Sequence, residues 1–144
     1  MGTGTSRNNS APTVPYCKLL NGGFPAERRV VINGKPTAIA RSFRVDFLVG
    51  ADIAFCFNPR FDEQMVVRNS KYRGRWESEA GERDGTFPFT LDEAFSVEIK
   101  CVPSRFEVAV NGKHLANFNH RMACDQISEL RIKGDITLHN VYFE

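Results

Sequence analysis

The sequence predicts an all-β chain folded as a β-sandwich of two antiparallel sheets. After Pro15 it is a succession of short segments in which apolar and polar residues alternate with the period of two that a half-buried strand requires. Turn signals separate these segments, among them Asn33-Gly34, Asp84-Gly85, Asn111-Gly112 and Gly134-Asp135. No helical stretch is needed beyond a turn near Met122 to Ile127. Each segment carries one apolar face, and two sheets packed face to face bury all those faces together, which an open sheet does not.

The segments follow in order. Arg29 to Asn33 and Phe43 to Val49 come first, the second with Phe43, Val45 and Phe47 on one face. Ile53 to Asn58 alternates so that Phe55 and Phe57 point to a core while Cys56 and Asn58 point away from it. Met65 to Asn69 follows, then Phe95 to Cys101 with Phe95, Val97, Ile99 and Cys101 on its apolar face. Phe106 to Val110 and His114 to Phe118 are joined by Asn111-Gly112, a strong signal for a two-residue hairpin. Glu129 to Lys133 and Ile136 to Phe143 close the chain.

The 144 residues suit one domain with a core large enough to stand without staples. Met1 to Thr13, rich in Ser, Thr, Gly and Asn, reads as a flexible N-terminal tail, leaving residues 14–144 as the domain. Within the tail MGTGTS has the form of an N-myristoylation signal and Asn8-Asn9-Ser10 that of a glycosylation acceptor, and a plain tail accounts for both. A net charge of +2 lacks the global basicity of a nucleic-acid binder, so no nucleic-acid partner is expected. No apolar run approaches 18 residues and no N-terminal stretch resembles a secretory signal; the expectation is no transmembrane segment and synthesis in the cytosol. Cys17, Cys56, Cys101 and Cys124 match neither a zinc knuckle nor a disulfide scaffold and are expected as reduced thiols. His114, His120 and His139 are not clustered with them at ligand spacing, so no metal and no cofactor is assigned.

The chemistry is concentrated in AFCFNPRF at Ala54 to Phe61, VVRNS at Val66 to Ser70, and Trp76. Two amides (Asn58, Asn69), a guanidinium (Arg60) and an indole are what a neutral sugar needs: fixed donors and acceptors read its hydroxyls, and a flat ring covers its C–H patch. The same residue types also occur on any polar sheet face.

Those motifs, with PYCKLLNGG, DIAFCFNPRFDE, ERDGTFPF, FEVAVNGKHL, Asn119-His120-Arg121 and KGDITLHNVYF, resemble a galectin carbohydrate-recognition domain from about Pro15 to Glu144. The resemblance implies a jelly-roll sandwich of five- and six-stranded sheets that binds β-galactosides without metal or cofactor and leaves the cell by a non-classical route. Carried over residue by residue, it makes Asn58 and Arg60 the asparagine and arginine of an HFNPR-like motif, Asn69 the asparagine after the VV pair, Trp76 the stacking ring, and Arg83 the arginine before the FPF strand.

Three departures qualify it. In WESEAGER, Trp76 and Arg83 are two residues further apart than the family pattern, so either Glu79 or Glu82 is the carboxylate that bridges sugar and arginine. Cys56 stands where lactose-binding galectins resemble one another in a histidine that meets galactose O4. A thiol has neither its reach nor its hydrogen-bonding strength, and losing such a contact costs roughly 1–3 kcal/mol, about 5- to 150-fold in affinity. Cys56 is then either the mark of a weakened galactoside site or a filler in one that has lost its ligand. Third, Arg44 points away from the core beside the galactose pocket, near Arg68, Lys71, Arg73, Arg75 and Arg83; standing unpaired in the groove, it would favour anionic galactosides.

The expected function is a non-enzymatic lectin recognising β-galactoside-containing glycans or glycoproteins with weakened or altered specificity. The alternative is a galectin-like protein that no longer binds lactose and acts through protein contacts or structurally. A homodimer, nuclear presence and extracellular release all fit the family. Asp46, Asp52, Glu79 and Glu82 are not placed by sequence as a glycosidase pair.

Overall fold

The computed structural model describes residues 11–144. The expectations for Met1 to Ser10, including both modification motifs, lie outside the described residues; Ala11 to Thr13 have no regular structure. The strands are β1 (Tyr16–Leu19), β2 (Arg29–Pro36), β3 (Phe43–Val49), β4 (Asp52–Arg60), β5 (Met65–Tyr72), β6 (Arg75–Trp76), β7 (Phe95–Val102), β8 (Arg105–Val110), β9 (Lys113–Asn119), β10 (Glu129–Gly134) and β11 (Ile136–Phe143), with one 3-10 turn at Cys124–Gln126. They form a five-stranded sheet in the order β9-β8-β7-β2-β11 and a six-stranded sheet in the order β1-β10-β3-β4-β5-β6, antiparallel throughout. The expected sandwich of five- and six-stranded sheets is the observed fold. Among the described residues no helix is long and apolar enough to cross a membrane.

Phenylalanines join the layers. Phe55 of β4 stacks on Phe106 of β8 at 4.8 Å and on Phe118 of β9 at 4.7 Å, and Phe43 of β3 stacks on Phe95 of β7 at 5.2 Å. Such pairs contribute about 0.5–1.5 kcal/mol each beyond the area they bury. Their inward position follows from the alternation: β7 buries Phe95, Val97, Ile99 and Cys101 while the residues between them stay partly exposed. The β8–β9 hairpin turns at Asn111 and Gly112, whose φ angles of 52° and 81° are the left-handed pair that a two-residue turn demands.

Asn33-Gly34 is not a turn. Both residues lie inside β2, opposite a register shift in β11 between Leu138 and Asn140. A Cβ on Gly34 would sit 2.7 Å from the Thr137 carbonyl oxygen and 3.2 Å from the Phe95 ring, so this glycine serves close approach. The strands that sequence alternation does not mark, β1 and the two-residue β6, are the two edges of the six-stranded sheet. Arg68 also differs from expectation. It points to the inner side of β5, 2% exposed, donating to the Val66 carbonyl at 2.9 Å and to the Asp84 carboxylate at 2.7 Å, so it contributes no charge to the outer face.

Candidate functional site

The order β3-β4-β5-β6 lays the outward residues of neighbouring strands in rows. Cys56 is opposite Asp46 on one side and Asn69 on the other, and Trp76 pairs with Lys71 at the sheet edge. Over these rows lies a groove of about 250 Å³ lined by Arg44, Cys56, Asn58, Arg60, Val67, Asn69, Trp76, Glu79, Ala80 and Arg83. Of the nine residues expected to contact sugar, Glu82 alone is missing from the lining, and the neighbouring Arg68, Lys71, Arg73 and Arg75 do not line it either. The Glu82 backbone bridges Arg68 in both directions, at 2.8 and 2.9 Å, and its carboxylate accepts from Arg121 at 3.1 Å. Glu79 thus lines the groove, whereas the Glu82 carboxylate is bonded to Arg121.

Each polar side chain is fixed by named partners. Asn58 donates to the Phe43 carbonyl at 2.7 Å, which turns its side-chain oxygen towards Arg60, whose Nε donates to it at 2.9 Å. Glu63, which the sequence reading missed, accepts from Arg60 at 3.2 Å and from Arg83 at 3.1 Å, locking the two guanidiniums as a pair. Asn69 accepts from the Ser70 and Ser78 amides at 2.8 and 3.2 Å and donates to the Ser78 carbonyl at 2.8 Å. Its amide has two N–H donors, so one is left for a ligand.

The longer loop after Trp76 is what holds Asn69. It folds back on β5 at Gly81, where φ is +74° and a Cβ would meet Val67 Cγ1 at 2.9 Å and the Arg68 carbonyl oxygen at 3.0 Å. Arg121, which lies over the Phe118 ring at 4.7 Å, adds a donor to Ser70 Oγ at 3.0 Å. Arg121 comes from the far side of the sequence, and no local pattern marks its reach to this loop.

Trp76 is 40% exposed and lies outside the core. Arg44 and Lys71 approach its ring to 5.4 and 5.3 Å, the range of cation–π contact. Arg44 is not unpaired: it donates to Asp46 at 2.8 Å. The condition on which an anionic preference was expected is therefore absent. Cys56, 4% exposed, lies beside this pair. Burial, and after it the Asp46 carboxylate, push its thiol well above the ordinary range, so it stays protonated as a short, weak donor.

Residues 15–143 match the galactoside-binding lectin family. The chain is 42% identical over 134 residues to galectin-4 of Sus scrofa, 40% identical over 129 residues to galectin-3 of Oryctolagus cuniculus, and 37% identical over 132 residues to the 32 kDa beta-galactoside-binding lectin of Haemonchus contortus. These matches take in 90%, 87% and 91% of this chain but 41%, 52% and 46% of those proteins, so the chain spans about half or less of their length. Among solved structures, galectin LEC-6 of Caenorhabditis elegans superposes with a TM-score of 0.87 at 28% identity, covering 98% of this chain and 99% of that one. A sandwich of five- and six-stranded sheets that superposes on a solved galectin and a family match over nearly the whole domain lead to one conclusion: the chain belongs to the galactoside-binding lectins and is a galectin carbohydrate-recognition domain.

Proposed function

We propose that the domain binds neutral β-galactoside-containing glycans in the groove over β3 to β6, without catalysing a reaction, and more weakly than a relative with histidine at the Cys56 position. The observation that carries this is the groove itself: a sugar-sized recess in which Asn58, Arg60, Asn69 and Glu79 stand beside a half-exposed Trp76. Arg60 and Asn58 supply a donor and an acceptor held 2.9 Å apart, Asn69 supplies one remaining N–H, and Trp76 covers an apolar sugar face. Arg44 is paired with Asp46, and Arg60 and Arg83 are paired with Glu63, which favours a ligand without net charge. Asp46 and Glu63 are committed to arginines, an arrangement that suits holding a sugar rather than cleaving one.

Cys56 is the weak point, because its protonated thiol cannot span the distance an imidazole covers. A lactose column with hapten elution, followed by titration calorimetry and a glycan array, tests the reading. Retention that lactose reverses supports it. Flow-through on lactose with a blank array would transfer the function to protein contacts, a reading favoured by how many groove groups are already bonded to one another. Sugar release by the purified chain would overturn the non-enzymatic part. Dimerisation through the edge strands β1 and β11, and cytosolic synthesis followed by non-classical release, complete the proposal; sedimentation and cell fractionation test them.

A further inference from the structure

Away from the groove, the fold brings Cys101 to His120 and Cys124, which lie four positions apart in the sequence. Cys101 ends the apolar face of β7, His120 follows β9, and Cys124 opens the 3-10 turn before β10. One ligand atom from each lies within 4.8 Å of the others. The Cys124 sulfur is 3.3 Å from His120 Nδ1 and 3.2 Å from Nε2, and the Cys101 sulfur is 3.6 Å from Nε2. We propose that Cys101, His120 and Cys124 form a binding site for one thiophilic divalent cation of the zinc class.

Zinc takes sulfur at about 2.3 Å and imidazole nitrogen at 2.0–2.1 Å, so adjacent corners of its tetrahedron are separated by about 3.5–3.8 Å, against 3.3 Å from the Cys124 sulfur to Nδ1 and no more than 4.8 Å between any two of the three ligand atoms. Two thiols and an imidazole are also the soft donor set that selects zinc over magnesium or calcium. The Val102 carbonyl accepts from His120 Nε2 at 2.7 Å, leaving Nδ1 as the ligand and giving the ring the backbone partner that metal-bound histidines usually have.

The backbone at each position is pinned. Cys101 donates to the Arg28 carbonyl at 2.9 Å and accepts from the Glu27 amide at 2.7 Å. The Cys124 carbonyl accepts from the Phe24 amide at 3.0 Å, and the His120 amide donates to the Ser104 carbonyl at 3.2 Å. Gly23 lies against the turn so closely that a Cβ would come within 2.4 Å of the Asp125 carbonyl oxygen. The His120 ring stands edge-on to Phe106 at 4.6 Å. A cleft of about 290 Å³, lined in part by Cys101, His120, Cys124 and Asp125, leads in from solvent. Entry of the cation displaces one proton from each thiol, both of which pass to solvent, and a water from the cleft fills the fourth position. The bound ion ties the ends of β7 and β9 to the turn that precedes β10.

Cobalt(II) is the probe, added anaerobically to the reduced chain. The expected result is one equivalent bound with a sulfur-to-cobalt charge-transfer band and the visible bands of a tetrahedral ion, displaced by zinc(II). Zinc should also raise the melting temperature. Cys124→Ala should weaken cobalt binding at least tenfold and remove the thermal shift, whereas Cys17→Ser, at an exposed residue of the β1 edge, should change neither. Cys101 is core-buried, so Cys124→Ala and His120→Ala carry the test. Absence of the charge-transfer band in the reduced chain overturns the proposal, as does its persistence in Cys124→Ala. A loss of two hydrogens with a Cys101–Cys124 cross-linked peptide as the sole response of the pair also overturns it, in favour of a disulfide. Lactose binding, measured in parallel, should be the same in Cys124→Ala and the parent chain, so this result stands apart from that of the groove.

Discussion

The two faces of β4 obey different rules. Phe55 and Phe57 are fully buried and meet other aromatic rings, so their positions are fixed by shape and by exclusion of water. Cys56 and Asn58, one residue along, are also nearly buried, but what surrounds them is a set of charges and amides from β3, β5 and the loops beyond. The inner face should therefore tolerate almost no change in volume, while the outer face should tolerate changes in volume and respond to changes in hydrogen bonding. Stability belongs to one face and specificity to the other.

The sharpest way to break that division is Phe55→Ala, which removes a ring shared by Phe106 and Phe118. It should cost about 3–5 kcal/mol of unfolding free energy by chemical denaturation. A loss below about 1 kcal/mol would mean that the inner face is not the stability determinant. Trp76→Ala is its counterpart on the outer side: glycan binding should disappear from calorimetry while stability stays within about 0.5 kcal/mol, since the ring is half exposed on an edge strand. Several kcal/mol lost there would make Trp76 part of the fold.

Cys56→His sharpens the comparison from within the strand. An imidazole between Asp46 and Asn69 gains both a partner and reach towards the ligand, and lactose affinity should rise by roughly tenfold, about 1.4 kcal/mol. Unchanged affinity would place the limitation in the longer loop that holds Asn69. The smallest effect concerns charge. With Arg44 paired to Asp46, raising salt should alter lactose affinity by less than about twofold, and sulfated lactose should gain little over lactose. A strong anionic preference that fades with salt would restore the unpaired-arginine picture.

The same contrast explains what could be read in advance. Alternation marked β2 to β5 and β7 to β11, because a strand with one buried face must repeat every second residue. It was silent for β1, where Cys17, Lys18 and Leu19 are all exposed, and for β6, too short to alternate. Asn33-Gly34 misled because a hairpin signal and a glycine needed for close strand approach look alike until the opposing strand is known. In the groove, Asn58, Arg60, Asn69, Trp76 and Arg83 were legible as motif residues. Glu63, the pairing of Arg44 with Asp46 and the departure of Glu82 towards Arg121 were not, because each is decided by which side chain arrives from another element. The meeting of His120 with Cys101 was hidden for the same reason, while its neighbour Cys124 lies only four positions along.

Trp76 is the chain's single tryptophan, and it stands in the groove under Arg44 and Lys71. The aromatic packing of the core is carried by phenylalanine, which contributes nothing to emission excited at the red edge of indole absorption. The fluorescence of the unlabelled protein in that window therefore arises from one position, next to two cations whose distance a ligand can change. Groove occupancy becomes an optical signal with no background from the core.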